Sequence, residues 1–103
     1  MARPEPLEPS RIEEELRSLA GWSVVDGKLH VELRFADFAR AFGFMSAAAV
    51  VAAEMDHHPE WSNVYSRVTV DVVTHDAGGI TELDVQLARR MAELAAGLGA
   101  APT

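Results

Sequence analysis

The chain has 103 residues, 49% hydrophobic and 24% charged, which fits one ordinary globular domain and argues against disorder or a second core. A formal charge of -7 speaks against a phosphate-backbone partner, and the lack of cysteine removes any disulfide framework, thiolate nucleophile or zinc–thiolate site. The start, MARPEPLEPS, has no apolar core for a secretory signal, and the longest uncharged stretch, the 13 residues from Ala41 to Ala53, is too short to span a bilayer. The expectation is a soluble, cytoplasmic protein with no nucleic acid and no membrane among its partners.

Residues 1–9 read as a flexible N-terminal arm and residues 10–99 as the single domain. Ser10 followed by Glu13 is a capping-box pattern, and Ile12, Leu16 and Leu19 then recur at helical spacing up to Gly21, predicting a helix over 10–20. Trp22 to Val25 is a strand candidate, and Asp26-Gly27 is a hairpin turn signal. Beyond it Leu29, Val31, Leu33 and Phe35 alternate with His30, Glu32 and Arg34, the pattern of a half-buried antiparallel strand. Asp37 can cap a longer helix to about Asp56, with Phe38, Phe42, Met45, Ala49 and Ala52 as its apolar stripe. The other faces of that helix are rich in alanine and carry Gly43, which fits either a close-packed subunit interface or alanine's helix propensity alone.

After a His-His-Pro break, Asn63 to Tyr65 and Val68 to Thr74 read as two strands joined at Ser66-Arg67, with Val68, Val70 and Val72 on one face and Thr69, Asp71 and Val73 on the other. Thr81 with Asp84 forms a second capping-box pair. It opens a helix striped by Leu87, Ala88, Met91, Leu94, Ala95 and Leu98, its end frayed by Gly97 and Gly99. The order helix-hairpin-helix-hairpin-helix predicts an α+β fold, a four-stranded antiparallel sheet with three helices packed on one face. The other face and any exposed edge strand remain open to ligand or self-association.

Chemistry concentrates between His57 and Asp84, where His57, His58 and His75 stand beside Pro59 and Gly78-Gly79. Pro59 forces His58 into an extended conformation, so the adjacent His57 and His58 face opposite ways and do not serve one atom together. Either can meet His75 if the last two strands are antiparallel neighbours. Imidazoles near their free pKa can exchange protons at neutral pH. The bland alternative is a helix end whose negative dipole favours a protonated histidine. A metal site lacks the usual helical spacing of ligands, so no metal is expected. Asp84 serves as a helix cap, as an orienter of His75, or as both. Trp61 is either core or ligand platform, Glu60 faces solvent or pairs with Arg67, and His30 is a solvated surface residue.

The segments Asp56-His57-His58-Pro59-Glu60-Trp61, Asn63-Val64-Tyr65, Thr74-His75 and Asp84 resemble the pterin-4a-carbinolamine dehydratase family, which is also the dimerisation cofactor of a homeodomain transcription factor. Gly21-Trp22, Asp37-Phe38 and Arg40-Ala41-Phe42-Gly43-Phe44-Met45 match as well, and the likeness runs from about Gly21 to Ala95. The resemblance implies the same sheet with three helices, assembled as a homodimer or homotetramer. It also implies dehydration of a 4a-hydroxytetrahydropterin to a quinonoid dihydropterin, with no cofactor, in the recycling of tetrahydrobiopterin. An aromatic amino acid hydroxylase is the implied pathway partner.

By matching position, His57 and His75 are implied as the acid/base pair and His58 as the residue that binds and orients the pterin. The implied substrate contacts are Asp56, His57, His58, Pro59, Trp61, Thr74, His75, Asp76 and Asp84. One position departs from the family pattern. Four residues before the first motif histidine the family carries a polar side chain, and this chain has Ala53, with Glu54 one place later. A helix turns about 100° per residue, so Glu54 does not substitute. The competing reading is a non-catalytic, dehydratase-like oligomeric scaffold, regulator or assembly factor.

Overall fold

The computed structural model describes residues 4–102, so the first three residues of the expected arm lie outside the described residues. Helix α1 spans Pro9–Leu16. Its N-cap is Glu8, with Pro9 in the first turn, and not Ser10. Proline suits that position because its missing amide has no helical partner there anyway. The Leu7 amide donates to the Ile80 carbonyl at 2.8 Å, so the ordered fold begins before the boundary expected at residue 10. Ile12 and Leu16 pack on the edge of the core, and Arg11 reaches Glu82 at 2.7 Å.

Strands β1 (Ser23–Val25) and β2 (Lys28–Arg34) form the first hairpin around Asp26 and Gly27, at φ 52° and 76°. Two successive left-handed residues are what a tight two-residue hairpin turn requires, and Asp-Gly supplies them. Asp37 caps α2 (Phe38–Met55) by accepting the Arg40 amide at 2.8 Å. Strand β3 (Glu60–Val64) starts directly after Pro59, turns at Tyr65 and Ser66, and returns as β4 (Arg67–Val72). The hairpin turn therefore sits one residue earlier than Ser66-Arg67, with Tyr65 itself left-handed at φ 53°. A 3-10 turn (His75–Ala77) ends on Gly78 at φ 78°, and α3 (Glu82–Gly97) follows behind a complete Thr81–Asp84 capping box.

The strands run in the order β1-β2-β4-β3, all antiparallel, which is the expected four-stranded sheet. A two-residue strand β5 (Ala101–Pro102) adds to β2 beyond the expected end of the domain at residue 99. Leu29, Val31 and Leu33 meet Val72, Val70 and Val68 across the β2–β4 ladder, and all six are buried beneath α2 and α3. The alternation read in β2 thus marks its core face.

The predicted stripe of α2 holds at Ala52, which is buried, and at Met45, which packs on the core, and is corrected at Phe38, Phe42 and Ala49, which are exposed. Ala41, Phe44, Ala48, Val51 and Ala52 are buried, while Phe38 and Phe42 are 48% and 54% exposed and stack at 5.8 Å between ring centroids. Phe44 instead packs on Phe35, 5.3 Å away. This 18-residue helix, with mean hydropathy 1.3, has the length and composition to cross a membrane, but one of its faces is built into the core of the domain.

The open face of the sheet carries charges. His30 bonds Asp71 through Nδ1 at 2.9 Å, and its Nε2 lies 3.5 Å from Glu32. The expectation of a merely solvated His30 is therefore corrected. Partial burial pulls its pKa down, but the hydrogen bonds that Asp71 and Glu32 accept from the ring outweigh it and hold the imidazole above its usual 6.5. A histidine raised in the folded state stabilises the fold below about pH 6.5 and loses that contribution as pH rises through the higher folded value. Urea titrations should show stability falling from pH 6 toward pH 8. His30→Gln should flatten that slope, and an unchanged slope would refute the assignment.

Candidate active site

The end of β4 lies beside the beginning of β3, with Glu60 opposite Asp71. That register brings the turn carrying His75 next to the C-terminus of α2. There Asp56 takes a left-handed cap at φ 51°, and the His57 amide donates back to the Ala52 carbonyl at 3.0 Å. The reversal ends the helix and turns His57 inward while His58 stays exposed, the opposed facing expected of neighbours before proline. Between the two segments is an open cleft of about 270 Å³, walled by Asp56, His57, His58, Val73, Thr74, His75 and Asp76. The volume is close to the small end of ligand pockets, roughly 300 Å³. A larger hollow of about 440 Å³ between α1 and Gly78–Ile80 is walled mostly by apolar residues and holds no histidine.

Beneath the cleft is a buried polar cluster. His57 Nε2 lies 2.6 Å from Asp84 Oδ1, with Asp84 fully buried. Asp84 Oδ2 accepts the Thr81 amide at 2.8 Å and the Thr74 hydroxyl at 2.9 Å. Thr74 has one proton and gives it to Asp84, so in the 2.7 Å contact between the two threonine hydroxyls Thr81 is the donor. Thr81 Oγ1 in turn accepts the Leu83 amide at 3.2 Å. Among the described residues no buried side-chain nitrogen or oxygen lacks a partner. Because a carboxylate only accepts, His57 donates from Nε2, and Nδ1 is the nitrogen left to meet a ligand.

Asp84 is therefore both cap and orienter, but the imidazole it orients is His57 and not His75. His75 projects with 70% of its side chain exposed, and its Nε2 lies 2.9 Å from Glu60 Oε2. The other Glu60 oxygen meets Lys28 Nζ at 2.5 Å, so Glu60 pairs with these two and not with Arg67. The hydrogen bond from Lys28, then that from His75, holds the Glu60 carboxyl below its usual 4.5.

Trp61 packs against the core on the helix side of β3, which decides for core over ligand platform. Neither Trp61 nor Pro59 forms part of the cleft wall. Ala53 and Glu54 are exposed on α2 and also stay outside it. Sequence reasoning missed Glu60 and Thr81 as parts of this network. The only signal for Thr81 was its capping pattern, and Glu60's partners come from strand pairing that spacing does not reveal.

The chain is similar to known proteins over most of its length. A relative from Solibacter usitatus named for pterin-4-alpha-carbinolamine dehydratase is 58% identical over 91 residues, covering 88% of this chain and 96% of the relative. One from Rhizobium etli, named for the same enzyme, is 52% identical over 94 residues, covering 89% and 93%. The crystal structure of a transcriptional coactivator/pterin dehydratase from Brucella melitensis superposes with a TM-score of 0.85 at 47% identity, over 88% of this chain and 99% of that one. Residues 5–94 match the family described as Pterin 4 alpha carbinolamine dehydratase. With the fold, the His57-His58-Pro59 break and the sequence match in agreement over most of its length, this chain belongs to that family of dehydratases.

Proposed function

We propose that this protein dehydrates a 4a-hydroxytetrahydropterin to the quinonoid dihydropterin by histidine acid–base catalysis. The observation that carries the reading is the cleft in which His57, His58 and His75 share one wall with Asp56, Thr74 and Asp76. Dehydration breaks the C4a–O bond. The departing hydroxyl takes a proton to leave as water, N5 gives up its proton, and the N5–C4a double bond forms. One acid and one base suffice, so the proposal needs no metal and no organic cofactor.

His57 and His75 take these two roles, and His58 binds and orients the ring. In His57 the proton on Nε2 is fixed by Asp84, which leaves Nδ1 a lone pair for substrate. Asp56, Thr74 and Asp76 would complete the contacts to the ring. The test is acceleration of dehydration of a synthetic 4a-carbinolamine by the purified protein, and a rate equal to buffer would overturn the reading. The proposed setting is cytoplasmic recycling of tetrahydrobiopterin, where an aromatic amino acid hydroxylase supplies the carbinolamine.

Two surfaces support self-association as a homodimer or homotetramer. Phe38, Phe42 and Val50 (61% exposed) lie along the outer side of α2, and β3 is an edge strand ending in the exposed Val64, with the exposed Tyr65 in the turn beyond it. Phe42→Glu should give a smaller species by analytical ultracentrifugation while the circular dichroism spectrum stays unchanged. An identical sedimentation profile would remove α2 as the interface. The same exposed surfaces favour the scaffold reading only if the carbinolamine assay shows no turnover.

A further inference from the structure

We infer that Glu60 is a positioning residue for His75, with Lys28 as its counter-charge, an assignment that rests on the acid–base role proposed for His75. Glu60 opens β3, and its carboxylate spans two elements: Oε2 to His75 Nε2 at 2.9 Å and Oε1 to Lys28 Nζ at 2.5 Å. One side chain thereby ties the turn that follows β4 to the first residue of β2.

The register gives this carboxylate an electrostatic cost. Glu60 stands directly opposite Asp71 in the β3–β4 ladder, and like charges at paired positions repel. The repulsion is offset by the Lys28 ammonium on Glu60 and by the His30 ring hydrogen-bonded to Asp71. A neutral amide at position 60 would avoid the conflict but would not restrict the imidazole to the form protonated on Nε2. Asp71 is already engaged by His30, so Glu60 is the carboxylate of this pair that meets His75.

The contact has a chemical consequence. An ionised carboxylate can only accept, so the neutral His75 ring carries its proton on Nε2 and presents Nδ1 as a bare base. His57 is held in the same form by Asp84. When neutral the two imidazoles are therefore set alike, one by a buried carboxylate and one by an exposed one, and whichever serves as the acid carries a second proton on Nδ1. The other charged or titratable groups around His75 are Asp76 on its own turn, Asp56, His57 and His58 across the cleft, and Asp71 beside Glu60. Glu60 is the group whose hydrogen bond to the ring fixes Nε2.

The test combines ring spectroscopy with turnover in the full-length protein. In 15N-labelled protein, long-range proton–nitrogen spectra of His75 should show protonation at Nε2 alone. Glu60→Gln keeps the shape of the side chain, but its amide can donate, so an Nδ1-protonated form of His75 should appear. Glu60→Ala should increase ring mobility in 13C relaxation. Both variants should lose roughly tenfold in kcat/KM, mainly in kcat, a fraction of the 10²–10⁴ of a full acid–base group. Lys28→Met should act in the same direction with a smaller loss.

A His75 spectrum unchanged in both Glu60 variants would overturn the assignment, whatever the turnover of the unsubstituted protein. A changed spectrum with kcat within twofold would overturn it too. No turnover by the unsubstituted protein would overturn the dehydratase reading alone, with the spectra still deciding the role of Glu60.

Discussion

Asp84→Ala is expected to destabilise the fold by about 2–6 kcal/mol, because two buried donors lose their acceptor at about 1–3 kcal/mol each. Asp84 is fully buried, and its two oxygens serve His57, Thr74 and the Thr81 amide. Its loss leaves a buried imidazole N–H and a helix N-terminal amide without acceptors, each costing about 1–3 kcal/mol, and removes half of a capping box. In a domain of this size the melting temperature should fall by more than about 10 °C. Asp84→Asn separates stability from chemistry. The amide oxygen can still accept from Thr81 and Thr74, so most of the stability remains. Its NH2 group then faces His57 Nε2 and drives the ring proton to Nδ1, removing the lone pair presented to substrate. A melting temperature for Asp84→Ala within about 3 °C of the unsubstituted protein would refute this account of the buried cluster.

His57→Gln and His75→Gln are each expected to lower kcat/KM for the carbinolamine by roughly 10²–10⁴-fold, the usual contribution of a positioned acid or base. The two should differ in what else they disturb. His57 is buried on Asp84, so its substitution should also lower the melting temperature. His75 is 70% exposed on its side chain, and its loss should leave stability nearly unchanged. His58→Gln should act more on KM than on kcat if its role is to bind and orient the ring. Equal kcat in all three variants and the unsubstituted protein would place the chemistry elsewhere.

Local signals were legible wherever a residue's role depends on its immediate neighbours. Asp26-Gly27 forms the turn it announces, Asp37 caps α2, and Thr81 with Asp84 closes a capping box, because each needs only backbone within three residues. The stripe of α3 was legible too: Leu87, Ala88, Met91 and Ala95 are buried on one side of an otherwise polar helix. α2 defeated the same reasoning because apolar residues surround it. Periodicity cannot choose between Phe42 and Phe44 on such a helix, and packing against Phe35 selects Phe44. Tyr65 was misplaced in a strand for a related reason. Aromatic residues favour strands, but hairpin closure forces this one into a left-handed turn position.

The sequence by itself determined the order of the three helices and the four main strands, the first hairpin turn, the caps of α2 and α3 and the presence of three histidines within one short region, since all of these follow from neighbours along the chain. Only the tertiary structure decided which carboxylate meets which imidazole. Asp84 lies 27 positions from His57 and 9 from His75, yet the helix cap turns it to His57. Glu60 reaches His75 across 15 positions and Lys28 across 32 because antiparallel register puts them on one face of the sheet. Hydrogen bonds act over about 3 Å of space, and separation along the chain does not measure that distance.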